Sequence, residues 1–316
     1  MDISYLLFLQ DFRNSINNAW TPFMESISLS AVTYLILLPA FIYWCIDKRK
    51  GLFTLAAYNI CVAFNALVKL TACVYRPWIR DARVIPAGEA IHTATGYSFP
   101  SGHTTTAVPI YGGMAVGFWN NKKTRWLGII CILAILVTGF SRNYLGVHTP
   151  QDVLVGLVLG VFSLWLTWKI FKYVSAHPET ENWFLLGGIV FAALALVYIT
   201  FKPYPMDYID GKLLVDPQRM MNDGYKDIGS LAAFCVARYV EKRWIKFEVP
   251  GFNFKGIALG ILGLIPAVLM VKYLSKPCIE WLGPHWGRVL YQGTFIFYIV
   301  AFYPFVLKLF GKKPAK

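Results

Sequence analysis

Residues 141–169 read SRNYLGVHTPQDVLVGLVLGVFSLWLTWK, a polar segment that runs directly into an apolar one. A helix needs about 20 mostly apolar residues to cross a hydrocarbon core of about 30 Å, and residues 152–172 meet that requirement. Thr149 is a good N-cap, Pro150 suits the first helical position, and Asp152 stands where a capping-box acid would stand. The stretch therefore predicts a membrane helix with polar side chains at its start.

The composition of the whole chain extends this prediction. Of 316 residues, 57% are hydrophobic and 15% are charged, whereas soluble domains are about 45–50% apolar and about 25% charged. We predict an all-α, polytopic transmembrane helical bundle of about nine spans, preceded by an interfacial N-terminal helix within 1–28. Eight spans are the alternative, because 126–140 is short and 226–242 contains Arg238 and Glu241. The nine predicted spans are 29–46, 51–70, 103–119, 126–140, 152–172, 183–201, 226–242, 255–272 and 288–308.

The surplus of basic residues is the second unusual feature. Lys plus Arg number 30 and Asp plus Glu number 17, for a net charge of +13, which in a soluble protein would suggest nucleic acid. Here the basic residues concentrate in short loops on one side of the spans, from Lys48–Lys50 to the tail at Lys308, Lys312, Lys313 and Lys316. Such loops are typical of the cytoplasmic side. We therefore expect no nucleic-acid partner, an N-terminus outside and a C-terminus inside.

Three polar groups lie at the other side, and the first is Lys69 with Arg76. Ionisable side chains at membrane depth are costly and are therefore functional candidates. Seven residues turn a helix through about 700°, so the two cations lie on nearly the same face. Pro77 disfavours helix at Arg76, so the chain should bend there. The alternative is that both are interfacial cations that extend toward water.

The second group is Pro100-Ser101-Gly102-His103, which begins the span 103–119. A turn of small residues at a helix N-terminus presents free backbone N–H groups and the positive end of the dipole, which suits an anion. The alternatives are that Ser101 only caps the helix and that His103 only lies at the interface. Neither Ser98 nor Ser101 fits the Gly-x-Ser-x-Gly elbow of a serine hydrolase.

The third group joins Arg142, His148 and Asp152. Asp152 could serve only the capping box of its helix. An acid in the first turn could also bond His148, fix the tautomer of the imidazole and leave its other nitrogen free as a nucleophile. The sequence leaves both roles open for Asp152.

Together the groups supply three cations, an anion cradle, two histidines and an orienting carboxylate on one membrane face. This set suits phosphoryl transfer, with the cations balancing the charge of the phosphate oxygens. One histidine would attack phosphorus and the other would protonate the leaving oxygen, and spacing alone does not assign the two roles. No carboxylate cluster or Cys/His spacing indicates a metal, so we expect metal-independent chemistry without a cofactor.

The three groups match Lys-x6-Arg-Pro at 69–77, Pro-Ser-Gly-His at 100–103 and Ser-Arg-x5-His-x3-Asp at 141–152. By these motifs the chain resembles the type 2 phosphatidic-acid phosphatases, membrane relatives of bacterial class A acid phosphatases and vanadium haloperoxidases. The resemblance implies a phosphatase core over 29–174 and a C-terminal extension of about three spans over 175–316.

The resemblance also implies roles for single residues. His148 would be the nucleophile that forms a phosphohistidine, and Asp152 would orient it. His103 would be the general acid for the leaving group and then the base that activates water. The phosphate would be held by Lys69, Arg76, Ser101, Gly102 and Arg142.

The implied substrate is a lipid phosphate, such as phosphatidate, a sphingoid-base phosphate or a polyprenyl diphosphate, among membrane lipids. A site at head-group level with an apolar path between helices favours this class. One alternative is a soluble phosphate ester, because the layout of spans is similar to that of glucose-6-phosphatase. Others are an anion transporter and a non-catalytic scaffold on a decayed phosphatase fold.

Three smaller expectations concern the outer side. Residues 203–224, rich in Pro, Asp and Gly, are a candidate lid or head-group selector, or else a plain connection. Cys73 and Cys278 lie on that side and could pair. Asn-x-Ser/Thr is absent, which favours a bacterial inner membrane with the site facing the periplasm or exterior; in a eukaryote the site would face the ER lumen.

Overall fold

A computed structural model of the protein describes residues 2–94, 96–119, 121–250 and 253–310 and confirms an all-α helical bundle. The helices are α1 (Asp2–Ser15), α2 (Thr21–Thr33), α3 (Leu37–Phe41), α4 (Lys48–Ala72), α5 (Pro77–Arg80), α6 (Ala90–Thr93), α7 (Gly102–Trp119), α8 (Arg125–Tyr144), α9 (Pro150–Ala176), α10 (Glu181–Phe201), α11 (Pro217–Val240), α12 (Phe254–Tyr273), α13 (Ser275–Phe297) and α14 (Tyr303–Phe310). Shorter elements are π-helical turns at Ile42–Ile46, Glu241–Ile245 and Tyr298–Phe302, a 3₁₀ turn at Pro178–Thr180, and an antiparallel hairpin of β1 (Tyr208–Ile209) and β2 (Lys212–Leu213). The tail residues Lys312, Lys313 and Lys316 lie outside the described residues.

Six of the nine predicted spans are segments long and apolar enough to cross a membrane. These segments are Lys48–Arg80, Arg125–Tyr144, Pro150–Ala176, Pro178–Phe201, Phe254–Tyr273 and Ser275–Phe310. The other three differ in physical character. The predicted span 29–46 is divided between α2, α3 and a π-helical turn, α7 is an 18-residue helix diluted by threonine and glycine, and 226–242 is the second half of the polar helix α11.

Helix α4 is central, because it packs against α7, α9 and α11, and α11 packs in turn against α10 and α13. Gly160 of α9 lies directly against Val108 of α7, and a Cβ at position 160 would collide with the Cβ of that valine. Small residues at such crossings allow helix backbones to approach closely in membranes. The close crossing brings together the N-terminal ends of α7 and α9, which carry the second and third motifs.

The predicted interfacial segment 1–28 is two helices, α1 and most of α2. Phe8 and Trp20 are exposed, whereas Arg13 is only 3% exposed. The Arg13 guanidinium donates hydrogen bonds to the carbonyls of Tyr144 (3.0 Å) and Ile85 (2.8 Å). These bonds attach the N-terminal segment to the loops that surround the motifs.

The prediction of a loop over 203–224 is wrong from Pro217 onward, where α11 begins. Asp216 caps this helix by accepting a hydrogen bond from the backbone N–H of Gln218 at 2.9 Å, and Pro217 occupies the first helical position. Both residues are typical of the start of a helix. The Pro, Asp and Gly content of the segment favoured a loop instead. The first half of the segment forms the β1–β2 hairpin.

The cysteine pairing that the sequence left open does not form. All six cysteines lie in the described part of the chain, and each is a free thiol. Cys73 instead lies with its Sγ 3.1 Å from the carbonyl oxygen of Leu70.

Replacing Gly160 by alanine should destabilise the protein, because the new methyl group would push α7 away from α9. Overpacking of this kind typically costs about 1–3 kcal/mol. Gly187→Ala is the matched control, since position 187 is also helical and has no neighbouring atom within 4 Å of an added Cβ. Thermal unfolding in detergent measures the difference, and a Gly160→Ala protein at least as stable as Gly187→Ala would contradict this packing.

Candidate active site

His148 and Asp152 form the centre of the site at the start of α9. Asp152 Oδ2 lies 3.3 Å from His148 Nδ1 and accepts hydrogen bonds from the backbone N–H of Thr149 (2.8 Å) and the hydroxyl of Ser98. The Thr149 hydroxyl accepts the backbone N–H of Asp152, which completes the capping box. Asp152 therefore caps the helix and contacts the imidazole at the same time, so the two roles left open by the sequence do not exclude each other.

The other ring nitrogen of His148 faces Arg76. Arg76 Nη1 lies 3.0 Å from His148 Nε2 and also donates to the carbonyl of Val147 at 2.9 Å, while Arg76 Nε donates to the carbonyl of Gly96 at 3.0 Å. A guanidinium is a donor only, so Nε2 must present its lone pair and the ring proton must lie on Nδ1, toward Asp152. This is the tautomer that a nucleophilic Nε2 requires.

His103 is the second residue of α7 and is only 7% exposed. Its Nε2 has no hydrogen-bond partner among the described residues. Buried polar groups are rarely left without a partner, and such a case needs an explanation. A phosphate ester bound beside His148 would supply the missing partner.

The three predicted cations are placed differently. Lys69 Nζ donates to the carbonyls of Pro100 (2.8 Å) and Tyr97 (3.4 Å), and so supports the second motif from α4. Arg142 is fully buried; its Nη1 donates to the hydroxyl of Ser28, and its Nε and Nη2 have no partner in the described part of the chain. Lys69 and Arg76 line the cavity described below, and Arg142 is not among its lining residues.

The sequence suggests two roles for the motif that contains Ser101 and Gly102: capping of α7 and binding of an anion. The Ser101 backbone N–H donates to the carbonyl of Asp152 at 3.0 Å, and its hydroxyl accepts from the N–H (3.4 Å) and hydroxyl (3.0 Å) of Thr104. Ser101 thus caps α7 and ties it to α9. Gly102 lines the cavity, and a Cβ there would find only Asn65 Nδ2, at 4.0 Å.

A cavity of about 190 Å³ lies between these groups. Of the eight residues predicted for the site, five line it: Lys69, Arg76, Gly102, His103 and His148. Its remaining wall comes from Thr105 and Thr106 of α7 and from residues of α4 and α11, among them Tyr58, Asn65, Met220, Asp223, Gly224, Lys226 and Asp227. A larger cavity of about 660 Å³ lies elsewhere, among α4, α9, α10 and α11, and none of the predicted site residues line it.

Sequence reasoning missed three contributions to this site. Ser98 does not fit the pattern of a serine-hydrolase nucleophile, but its position three residues before Ser101 indicates that both serines belong to the same turn. Asn65 lies one helical turn before Lys69, and that spacing could have placed it on the same face. The α11 residues carry no local signal, because the helix reaches the site only through tertiary packing.

Burial and the nearby cations Arg76, Arg142 and Lys69 hold the pKa of His148 well below its usual range. Burial removes water from the charged form, and like charges disfavour a second positive charge. The imidazole is therefore neutral at pH 7 and has a free lone pair. Protonation would require an acidic solution.

This depressed pKa predicts that His148 remains neutral as the pH is lowered through about 6.5, the ordinary value for histidine. The test is an NMR titration of ¹⁵N-histidine-labelled protein in detergent, with the His148 signal assigned by its loss in His148→Ala. A His148 signal that titrates at pH 6.5 or above would contradict the geometry.

The chain is similar in sequence to known proteins. Residues 50–176 match the PAP2 superfamily. No solved structure matches the chain. Among curated relatives, undecaprenyl-diphosphatase BcrC of Bacillus subtilis is 30% identical over 153 residues, which cover 47% of this chain and 72% of the relative.

Two further relatives differ in how much of the chain they match. The lipid A 4'-phosphatase of Bacteroides thetaiotaomicron is 30% identical over 87 residues, 28% of this chain and 37% of the relative. The dihydrosphingosine 1-phosphate phosphatase of Schizosaccharomyces pombe is 27% identical over 222 residues, 63% of this chain and 49% of the relative. The chain thus spans about half or less of the length of these two relatives.

Proposed function

The chain belongs to the PAP2 superfamily, and we propose that it is an integral membrane phosphatase that hydrolyses a phosphate monoester or diphosphate of a lipid. The observation that carries this proposal is the cavity where Nε2 of His148, the unpartnered Nε2 of His103 and two cations meet at one end of apolar helices. The names of the three relatives each refer to a lipid phosphate or diphosphate. A lipid ester would reach the cavity from the surrounding bilayer.

In the proposed reaction, Nε2 of His148 attacks phosphorus and a phosphohistidine forms as the bond to the leaving oxygen breaks. His103 donates a proton to that oxygen, since a bound phosphate dianion favours the protonated imidazole. His103 then takes a proton from water, the hydroxide attacks phosphorus, and the N–P bond breaks to release phosphate. Asp152 holds the Nδ1 proton throughout and stabilises the positive charge on the ring.

Arg76 and Lys69 would balance the charge that develops on the phosphate oxygens. Arg76 already contacts the attacking nitrogen, so a bound phosphate oxygen would take over this donor and free the lone pair for attack. Gly102 leaves open space at the N-terminus of α7, where the phosphate can approach the backbone N–H groups. Ser101 and Arg142 would act from behind this surface, the first through its cap and the second through its charge.

We further propose that the site faces the non-cytoplasmic side, which in a bacterium is the periplasm or exterior. The basic loops at the other ends of the spans support this orientation. No metal enters the proposed mechanism, because the two histidines, the carboxylate and the cations supply every group that it uses.

His148→Ala should reduce phosphate release at least about 1,000-fold, because it removes the nucleophile. The assay uses purified protein in EDTA with phosphatidate, sphingosine 1-phosphate, farnesyl diphosphate and glucose 6-phosphate, so that lipid and soluble esters are compared. His177→Ala is the matched control, since His177 is exposed and lies beyond the far end of α9.

A second readout tests the intermediate directly. Acid-labile ³²P should appear on the wild-type chain after a brief reaction with labelled substrate, and it should be absent from His148→Ala. Full activity of His148→Ala would exclude the mechanism. Transport of phosphate by the reconstituted wild type without hydrolysis would exclude the enzyme and favour an anion transporter.

The proposed orientation predicts that Lys212→Cys, in the exposed β1–β2 hairpin, reacts with a membrane-impermeant maleimide on intact cells. The wild type serves as the background control, because five of its six cysteines are buried. Labelling only after the cells are permeabilised would place the hairpin inside and overturn the orientation.

A further inference from the structure

Part of the cavity wall is built by α11, which lies outside the region that matches the PAP2 superfamily. Three charged residues of this helix, Asp223, Lys226 and Asp227, line the cavity together with Met220 and Gly224. Spacings of three and four residues place these side chains on one face of the helix. The extension therefore contributes directly to the site.

The two carboxylates of this wall are not saturated by their neighbours. Lys226 Nζ lies 3.7 Å from Asp223 Oδ1 and 3.5 Å from Asp227 Oδ1, and Arg288 Nη1 lies 4.0 Å from Asp223 Oδ1. These ion-pair distances exceed the 2.7–3.2 Å of a hydrogen bond. About half of the Asp223 side chain and a fifth of that of Asp227 remain accessible. Both side chains keep acceptor capacity toward the cavity.

A second, independent observation points to a ligand in the same cavity. Asn65 lines the same cavity from α4 and is only 4% exposed, yet its Oδ1 has no hydrogen-bond partner among the described residues. A buried carbonyl oxygen without a donor is costly. The unpartnered acceptor and the two carboxylates all call for hydrogen-bond donors on a bound molecule.

The cavity is therefore polarised. Lys69 and Arg76 form its cationic side, which suits phosphate, whereas the α11 side carries two carboxylates, Asp223 and Asp227, and one ammonium group, that of Lys226. A second phosphate on that side would meet two carboxylates and a single ammonium, and like charges at close range are unfavourable. An alcohol with hydroxyl or amino groups next to the ester would instead donate to them.

We propose that Asp223 and Asp227, together with Asn65, form a specificity subsite for a hydrogen-bond donor on the carbon adjacent to the phosphorylated one. The subsite favours phosphate monoesters of hydroxylated or aminated lipids and disfavours diphosphates. This inference rests on the proposed phosphatase function and names the part of the substrate that α11 recognises.

The sharpest test compares two esters that differ by one donor: 1-oleoyl-glycerol 3-phosphate and its 2-O-methyl ether. The wild type should prefer the free hydroxyl by about tenfold in kcat/KM, as expected for one hydrogen bond to a charged group. Asp223→Asn and Asp227→Asn should each reduce this preference, the ratio of the two kcat/KM values, severalfold. Asp210→Asn is the matched control, because Asp210 is exposed at the tip of the hairpin.

Two additional substrates define the donor and the charge preference. Sphingosine 1-phosphate has an amino group at the adjacent carbon, and a kcat/KM above that of 1-oleoyl-glycerol 3-phosphate would identify the ammonium group as the better donor. Farnesyl diphosphate should be a poor substrate of the wild type, and the two Asp→Asn variants should hydrolyse it faster. Orthovanadate, a phosphate analogue, should inhibit every variant at the wild-type concentration if the phosphate side is intact.

Equal hydrolysis of the matched pair by the wild type would overturn the subsite and leave the phosphatase function standing. A proportional loss on both esters in Asp223→Asn and Asp227→Asn would also overturn it, because it would indicate a structural role. If the wild type released phosphate from none of the substrates, the proposed function itself would fail. If Asp227→Asn does not fold, Asp223→Asn decides the question alone, since its side chain is the more accessible of the two.

Discussion

The Asp152 side chain and backbone join the segments on which the site depends. Its carboxylate accepts the N–H of Thr149, the hydroxyl of Ser98 and the Nδ1 side of His148, and its carbonyl accepts the N–H of Ser101. One residue thus links the start of α9, the turn before α7 and His148, the proposed nucleophile. Because these groups are buried, breaking any one of the hydrogen bonds would leave a polar atom without a partner in a place that water does not reach.

Cations surround the Asp152 carboxylate. Their donors are satisfied mainly by backbone carbonyl oxygens. Arg76 donates to two carbonyls and Lys69 to two others. Carbonyl oxygens satisfy the donors without neutralising their charge, so the cations keep their attraction for an anion. Burial and the same cations hold the pKa of His148 below its usual range and keep the imidazole neutral. Cations held in place in this way would suit the proposed phosphate substrate.

The C-terminal extension adds negatively charged side chains to the cavity. Helix α11 packs against α4, and Gly224 allows the close approach because a side chain there would meet Leu70. Its first half brings two carboxylates into the cavity that Lys69 and Arg76 also line. In the proposed function, the core performs the phosphoryl transfer and the extension selects the alcohol that carries the phosphate.

Helix type, the apolar length of six spans and the three motifs could be read from the chain alone, because each depends on neighbouring residues: about 20 apolar positions for a span, a cap and a proline for the start of α9. The part of the cavity wall that α11 supplies could not be read in this way. Asp223 and Asp227 reach the site only after α11 has packed against α4, and the acidic residues around the start of α11 favour a loop. The tautomer of His148 likewise depends on Arg76, 72 positions away. Motifs consist of residues that are close in the sequence. Contacts between distant helices depend on shape and packing, for which a single sequence carries no periodic signal.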